Sequence, residues 1–284
     1  MSAGAKSAMQ SVEIDGADIA WTERGSGPPA LFIHGSGTFS ETFEPLLDEL
    51  PEGIRAITYD RRGFAGSANG PLGSFGTHVD DAAALLEALD TGPATIVGSS
   101  GGGVLAMRLA VVRPDLVSSL VLIEPAYQLA FVPSASAMAT MARVNLRWIF
   151  GRDPKGAALY FYRWATSYQG GGNQFDSYSE EWRRIGLGHA RAALRELPQI
   201  PPPLPTPAAL RRVAKPTRVL IGNAGLPVFQ RTARRALRAI PGAVEIPVPG
   251  AAHILYTDQP VACAAAVADA VDEVTSQAGG GSTS

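Results

Sequence analysis

Short apolar runs alternate with segments of helical periodicity over most of this chain. Apolar runs of roughly four to eight residues between turn signals predict strands, and strands that alternate with helices predict a parallel sheet covered on both faces. The predicted strands are Val12–Ile14, Ala17–Glu23, Ala30–Ile33, Arg55–Tyr59, Ala94–Val97, Ser119–Ile123, Thr217–Ile221 and Val244–Val248. The predicted helices are Glu41–Leu50, Val79–Leu89, Gly102–Val112, Val228–Ala239 and Gln259–Val274. The fold class is therefore α/β, with a mostly parallel central sheet flanked by helices.

The alternation stops between residues 125 and 212, where the pattern predicts helices and no strand. The helices predicted there are Ala135–Phe150, Lys155–Tyr168 and Glu180–Leu197. The Pro-rich run Leu197–Pro207 ends the last of them, because proline has no amide hydrogen to donate. We expect this insertion to form a lid over the carboxyl edge of the sheet, where open α/β sheets bind ligands.

These patterns predict a division of the chain into three parts. Residues 1–124 and 213–275 form the α/β core, and residues 125–212 form the helical lid. Residues 276–284, rich in glycine and serine, are expected to be a flexible tail.

Composition argues against several classes of partner and cofactor. The chain has 284 residues and a formal net charge of -2, so no strong field attracts it to nucleic acid or to an anionic membrane. No apolar run reaches the roughly 18 residues of a membrane span, and the N-terminus has no signal-peptide core. The single cysteine, Cys263, cannot form an internal disulfide, which suits a reducing compartment. We expect a cytoplasmic protein with a small-molecule substrate and neither metal nor cofactor. The oligomeric state is left open.

A candidate nucleophile lies in the sequence Gly98-Ser99-Ser100-Gly101-Gly102, between a predicted strand and a predicted helix. The G-x-S-x-G pattern in this context places a serine on a strained turn whose neighbours must be small. The amide of Gly101, at the start of the helix, can donate to a developing oxyanion. A phosphate-binding turn is the alternative, but the pattern lacks the residues that Walker A and Rossmann loops require.

A second oxyanion donor is expected from His34-Gly35-Ser36-Gly37, which directly follows the Ala30–Ile33 strand. The backbone amide of Ser36 is the candidate donor, and Gly35 is expected to border the substrate. The side chain of His34 is expected to brace the loop and to take no part in chemistry.

Four motifs in this order resemble the α/β-hydrolase superfamily. They are His34-Gly35, the run from Asp60 to Ser67 after the next strand, the turn at Ser100, and Pro249-Gly250-Ala251-Ala252-His253 after the last strand. The resemblance covers about residues 11 to 275 and implies a serine hydrolase fold, with the Asp60 loop in a structural role. It does not indicate a substrate.

Of the four histidines, His253 is the candidate general base. It stands in a Gly/Ala-rich loop after the last strand, where this superfamily places its base. A histidine there can take the Ser100 proton and return it to the leaving group. His189 falls in the predicted lid, where it could contact substrate, and His78 is expected at the surface or against the lid.

The third member of a triad is not where the superfamily usually carries it. The usual aspartate position corresponds to Gly225, and no Asp or Glu occurs between Glu196 and Glu245. Asn223 could orient the imidazole as a neutral amide, or the site could be a dyad or a degenerate, non-catalytic one. Alternatively, the acid is Glu124, at the end of the Ser119–Ile123 strand. Haloalkane dehalogenases and the fungal zearalenone lactonase place their acid at this point. Glu124 could also simply cap the lid junction.

A serine, a histidine and two backbone donors together indicate acyl transfer through a tetrahedral oxyanion. We therefore expect hydrolysis of a carboxylic ester or a lactone. A non-hydrolytic member, such as a ligand receptor or a biosynthetic enzyme, is the alternative. The insertion holds more than half of the chain's aromatic residues, which either pack the lid or line an apolar pocket. Tyr127, Phe131 and Trp164 are the candidate aromatic contacts to substrate.

Overall fold

The computed structural model describes residues 7–197 and 205–280. Its eight strands form one sheet in the order β1-β2-β4-β3-β5-β6-β7-β8. Strand β2 pairs antiparallel with β1 and with β4, and all other neighbours are parallel. The strands are β1 Gln10–Ile14, β2 Ala17–Arg24, β3 Pro29–Ile33, β4 Arg55–Tyr59, β5 Ala94–Ser99, β6 Val117–Ile123, β7 Thr217–Gly222 and β8 Val244–Val248. The predicted fold class is confirmed.

The helices fall on both faces of the sheet and in the insertion. They are α1 Glu44–Leu47, α2 Phe75–Ala88, α3 Gly101–Val112, α4 Ala135–Asn145, α5 Pro154–Ala165, α6 Gln174–Ser177, α7 Glu180–Gly188, α8 Ala190–Glu196, α9 Pro207–Leu210, α10 Pro227–Ala239, α11 Leu255–Asp258 and α12 Pro260–Gly280. Helices α2, α3 and α10 bury one face of the sheet, and α1 and α12 bury the other. Within the described residues, no helix has both the length and the hydropathy needed to cross a bilayer.

Proline and glycine account for two differences from the predicted helices. The segment Glu41–Leu50 is a 3₁₀ turn followed by the single turn of α1, because Pro45 cannot donate the amide that would continue the first turn. The segment Glu180–Leu197 is two helices that meet at His189. Gly186 and Gly188 precede this break, and glycine is a weak helix former.

The last helix also ends later than predicted. Helix α12 continues through Ser276 to Gly280, so residues 276–280 are helical. The remainder of the tail, residues 281–284, lies outside the described residues, as do residues 198–204 of the Pro-rich run.

The inserted helices have a hydrophobic cluster of their own. Val144, Phe161 and Leu194 pack there with core residues that include Phe64 and Phe229. Because Phe64 follows β4 and Phe229 follows β7, this cluster lies against the carboxyl edge of the sheet. The insertion therefore packs against the edge at which the candidate residues lie.

Candidate active site

Ser100 occupies a sharp turn between β5 and α3. Its backbone has φ 52° and ψ -115°, a region that non-glycine residues rarely adopt. A Cβ atom at Gly98 would lie 2.5 Å from the Gly102 carbonyl oxygen, and one at Gly102 would lie 2.1 Å from the Ile33 oxygen. Glycine is therefore required on both sides of the serine, because strand and helix approach too closely for any side chain.

Ser100, His253 and Glu124 form one line of hydrogen bonds. The Nε2 atom of His253 lies 2.9 Å from Ser100 Oγ, and its Nδ1 atom lies 2.8 Å from Glu124 Oε2. The backbone amide of Gly222 donates to Glu124 Oε1 at 3.1 Å. The predicted approach of Glu124 to the far nitrogen of His253 is confirmed as geometry.

Strand order explains how Glu124 reaches the histidine. Glu124 follows β6, which lies between β5 and β7, and its amide donates to the Leu220 carbonyl of β7. The position expected from the resemblance is tight, because a Cβ atom at Gly225 would lie 3.0 Å from the backbone nitrogen of His253. Asn223 is not the orienting residue. Its Oδ1 accepts from Gly250, and both ring nitrogens of His253 already have other partners.

Glu124 is almost completely buried, and its burial changes the pKa of its carboxyl group. Burial raises the pKa of Glu124 above its ordinary value, and the hydrogen bond from His253 opposes that rise.

The His253 loop is anchored from two sides. Asp258 accepts the Ala252 amide at 2.8 Å, and the side-chain amide of Gln174 both donates to and accepts from the backbone of Ile254.

The two predicted oxyanion donors lie beside the serine. Gly101 begins α3, so its amide stands at the positive end of the helix. A Cβ atom at Gly101 would lie 3.5 Å from the Ser36 backbone nitrogen, and one at Gly35 would lie 3.1 Å from Ser100 Cβ. The loop after β3 thus approaches the nucleophile closely enough for a backbone amide to face a bound carbonyl.

His34 braces this loop, as predicted. Its Nε2 accepts the Arg61 amide at 3.0 Å, and its Nδ1 lies 2.9 Å from the Gly35 oxygen. Burial, reinforced by the Arg61 charge, lowers the pKa of His34 well below its ordinary value. The Asp60 loop is also structural, because the Asp60 carboxylate accepts the amides of Ser40 and Gly66.

A cavity of about 330 Å³ opens beside Ser100 and His253. Its wall is mostly apolar and includes Met141, Phe161, Trp164, Phe175 and Phe229, together with Gly35, Ser36 and Gly101. Gly35 and Trp164, two of the predicted substrate contacts, therefore line this cavity.

Three predicted substrate contacts do not line the cavity. Tyr127 is buried in the main core, where its hydroxyl donates to the Pro205 carbonyl. Phe131 is 57% exposed on the outside of the insertion. His189 packs between Phe39 and Phe64, and burial lowers its pKa to about 4.

Two buried groups were not predicted from the sequence. His78, in α2, is buried and not at the surface, and its Nε2 atom lies 3.1 Å from Glu196 Oε1. Glu196 also binds Arg61 and lines the cavity. The contacts of Glu196 with His78 and Arg61 could not be predicted from the sequence, because a carboxylate at the end of an amphipathic helix usually faces solvent.

The comparisons with known proteins identify the family to which this fold belongs. The profile of the alpha/beta hydrolase family matches residues 30–266. BpoC of Mycobacterium tuberculosis, assigned as a non-heme bromoperoxidase, is 42% identical over 107 residues, which are 37% of this chain and 41% of that protein. The match therefore spans less than half of the length of that relative.

Solved structures are similar over nearly the whole chain. A thermophilic esterase from Thermogutta terrifontis is 25% identical, with a TM-score of 0.75 over 93% of this chain and 99% of that one. Est816, an N-acyl homoserine lactone degrading enzyme, is 21% identical, with a TM-score of 0.72 over 93% of this chain and 99% of that one. The likeness to Est816 shows a common fold.

Proposed function

We propose that this chain, which belongs to the alpha/beta hydrolase family, is a serine hydrolase that cleaves a carboxylic ester or a lactone through an acyl-enzyme on Ser100. The observation that carries the proposal is the line of hydrogen bonds from Ser100 through His253 to Glu124 at the mouth of an apolar cavity. Nucleophile, base and orienting acid stand at the distances that acyl transfer uses.

In the first half-reaction, Ser100 Oγ attacks the carbonyl carbon while its proton passes to His253 Nε2. The carbonyl oxygen becomes an oxyanion, for which the amides of Ser36 and Gly101 are the proposed donors. Glu124 holds the Nδ1 proton and stabilises the imidazolium. When the tetrahedral species collapses, the carbon–oxygen bond to the alcohol breaks, and the alcohol oxygen takes the proton from Nε2.

In the second half-reaction, water attacks the acyl carbon and gives its proton to His253 Nε2. Collapse breaks the bond to Ser100 Oγ, which takes that proton back, and a carboxylic acid leaves. A lactone follows the same steps, except that the alcohol stays tethered to the acyl group until water releases a single hydroxy acid.

The cavity supports a substrate with a medium-sized apolar group. Its volume of about 330 Å³ is near the lower end of the range for small-molecule sites, and its wall offers mainly aromatic and aliphatic surface. The inserted helices contribute much of that wall, which supports the proposal that they act as a lid. The esterase and the lactone-degrading enzyme among similar structures support the same pair of bond types.

A non-hydrolytic role is the less supported alternative. Its main support was the absence of a carboxylate at position 225. Glu124 supplies a carboxylate instead, since its Oε2 atom lies 2.8 Å from His253 Nδ1. A receptor would bind its ligand and release it unchanged, whereas the proposed enzyme forms a covalent intermediate.

The test is covalent labelling with a fluorophosphonate, together with turnover of p-nitrophenyl esters and an N-acyl homoserine lactone. We expect label on Ser100 and hydrolysis in the wild type, and neither in Ser100→Ala. Ser99→Ala is the matched control, because it removes a neighbouring buried hydroxyl that takes no part in the hydrogen bonds joining Ser100, His253 and Glu124. Normal turnover in Ser100→Ala, or an unlabelled and inactive wild type, would contradict the proposal.

A further inference from the structure

Three donors converge on one backbone carbonyl next to the nucleophile. Arg61 Nη2 donates to the Gly35 oxygen at 2.9 Å, Thr38 Oγ1 donates at 3.3 Å, and His34 Nδ1 lies 2.9 Å away. Because His34 Nε2 accepts the Arg61 amide, the neutral ring carries its proton on Nδ1 and donates it to Gly35. This carbonyl belongs to the peptide bond whose nitrogen is the Ser36 amide.

The direction of that carbonyl sets the direction of the Ser36 amide. In a planar trans peptide, the C=O and N–H bonds point to opposite sides, so donors that hold the Gly35 oxygen turn the Ser36 N–H away from Arg61. The Ser36 nitrogen lies on the side of Gly101, the other proposed oxyanion donor. Donors on the carbonyl also polarise the amide, which strengthens its hydrogen as a donor.

Arg61 is itself held by an acid from the inserted helices. Its Nη1 lies 2.5 Å from Glu196 Oε1 and its Nη2 lies 3.3 Å from Oε2, with both side chains nearly inaccessible. Glu196 also accepts from the Ser36 hydroxyl and from His78. Burial opposes ionisation of Glu196, but the Arg61 charge prevails and lowers its pKa below the ordinary value. Without Glu196, Arg61 would be an uncompensated buried charge and would move toward water.

We infer that Arg61 and Glu196 are positioning residues that aim the Ser36 amide at the developing oxyanion. Since Glu196 ends α8, docking of the inserted helices on the core sets the oxyanion site as well as the substrate cavity. The inference rests on the proposed function, in which the Ser36 amide is an oxyanion donor.

The test compares Glu196→Gln with the wild type in steady-state ester hydrolysis and in inhibition by an alkyl boronic acid. The boronic acid forms a tetrahedral adduct with Ser100 that places an oxygen in the oxyanion position. Removing one oxyanion donor outright costs about 10²–10³ in kcat, so a misaligned donor should cost roughly 10- to 100-fold. The inhibition constant should rise by a similar factor while KM changes by less than about 3-fold, because the donor acts mainly on the tetrahedral state.

The controls separate positioning from folding. Glu181→Gln removes a carboxylate of the same insertion that is 72% exposed, and it should leave kcat and inhibition unchanged. If Glu196→Gln does not fold, Arg61→Lys keeps a positive charge beside Glu196 but lacks the planar fork that reaches Gly35 as well, and the same losses are expected.

Two results for the folded variants would overturn the inference. Wild-type kcat and boronate inhibition in folded Glu196→Gln, or in folded Arg61→Lys, overturn the inference. A loss of kcat that leaves boronate inhibition unchanged overturns it too, because the tetrahedral state would then be bound normally. Failure of the proposed function is a different outcome: the wild type itself would not hydrolyse esters or take the fluorophosphonate label, which overturns both.

Discussion

The ring of Phe229 stacks on the imidazole of His253, with ring centroids 3.6 Å apart and planes inclined by 22°. Phe229 is buried in the first turn of α10, which follows β7, and it also borders the cavity. The face of an aromatic ring attracts a cation, so in the proposed acyl transfer this contact would stabilise the positive charge that develops on the imidazole. It also limits rotation of the imidazole about its bonds.

Phe229→Leu is therefore expected to lower kcat. Leucine retains apolar volume but offers no aromatic face, and the loss of about 0.5–2 kcal/mol corresponds to roughly 2- to 30-fold in rate. Phe175→Leu is the control, because Phe175 is a buried cavity residue whose ring contacts are Tyr162 and Tyr178. Equal effects of the two substitutions on kcat would show that the stacking itself is unimportant.

Glu124→Gln should lower kcat by up to about 10⁴. The glutamine oxygen can still accept the Gly222 amide, but its NH₂ group donates to His253 Nδ1 and places the ring proton on Nε2. That tautomer cannot accept the Ser100 proton. Asn223→Ala is the control and should change kcat little, since Asn223 bonds to Gly250. Near-normal turnover of p-nitrophenyl esters by Glu124→Gln would exclude Glu124 as the acid of the triad.

The two buried acids should change stability with pH in opposite directions. The pKa of Glu196 is lowered by folding, so its contribution is present above the unfolded pKa of about 4.3 and is lost as pH falls below that value. The pKa of Glu124 is raised by folding, so its ionisation opposes folding above about pH 4.3.

Urea unfolding between pH 3 and pH 7 checks these signs. At pH 7, Glu196→Gln should lose on the order of 3 kcal/mol, and its deficit should shrink toward pH 3. Glu124→Gln should be as stable as the wild type at pH 7, or more stable, because it removes a buried charge. Parallel pH profiles for the wild type and both variants would contradict the assigned shifts.

Truncation of Trp164 should change the preference for acyl length. Trp164→Ala removes cavity wall, so kcat/KM for a long acyl ester should fall by about 10- to 100-fold, the worth of one large apolar contact. A short acetate ester uses little of that wall and should lose little. Phe131→Ala, outside the cavity, should affect neither ester. Equal losses for both esters in Trp164→Ala would mean that the ring serves only to pack the insertion.

Gly102→Ala should prevent normal folding. The new Cβ would lie 2.1 Å from the Ile33 carbonyl oxygen, and neither β3 nor α3 can retreat from the buried sheet without losing packing. Gly188→Ala is the control, because nothing lies within 4 Å of that position. The expected result is little soluble Gly102→Ala protein, against an unchanged or raised Tm for Gly188→Ala. A Gly102→Ala protein with wild-type Tm would contradict the close approach.

Local patterns predicted the order of the strands and the candidate nucleophile Ser100, and the resemblance to the superfamily added His253 and Glu124 as candidates. Ser100 and Glu124 directly follow their strands and His253 lies in the loop after β8, and parallel strands bring such positions to one edge of the sheet. The glycines around Ser100 favoured it as the nucleophile, and the absence of acids near Gly225 favoured Glu124 as the acid. The 2.8 Å contact between Glu124 and His253 confirms the geometry that followed from the positions of their strands.

Only the tertiary structure decided which side chains of the insertion face the cavity and which core residues they bind. The sequence places Tyr127, His189 and Trp164 in the insertion, but it does not show which residues each of them packs against. Glu196 meets Arg61 across 135 residues of sequence, and that meeting depends on how α8 docks after the chain turns at His189. Local propensity does not determine such docking, because its free energy comes from contacts between distant segments that exist only once the core is assembled.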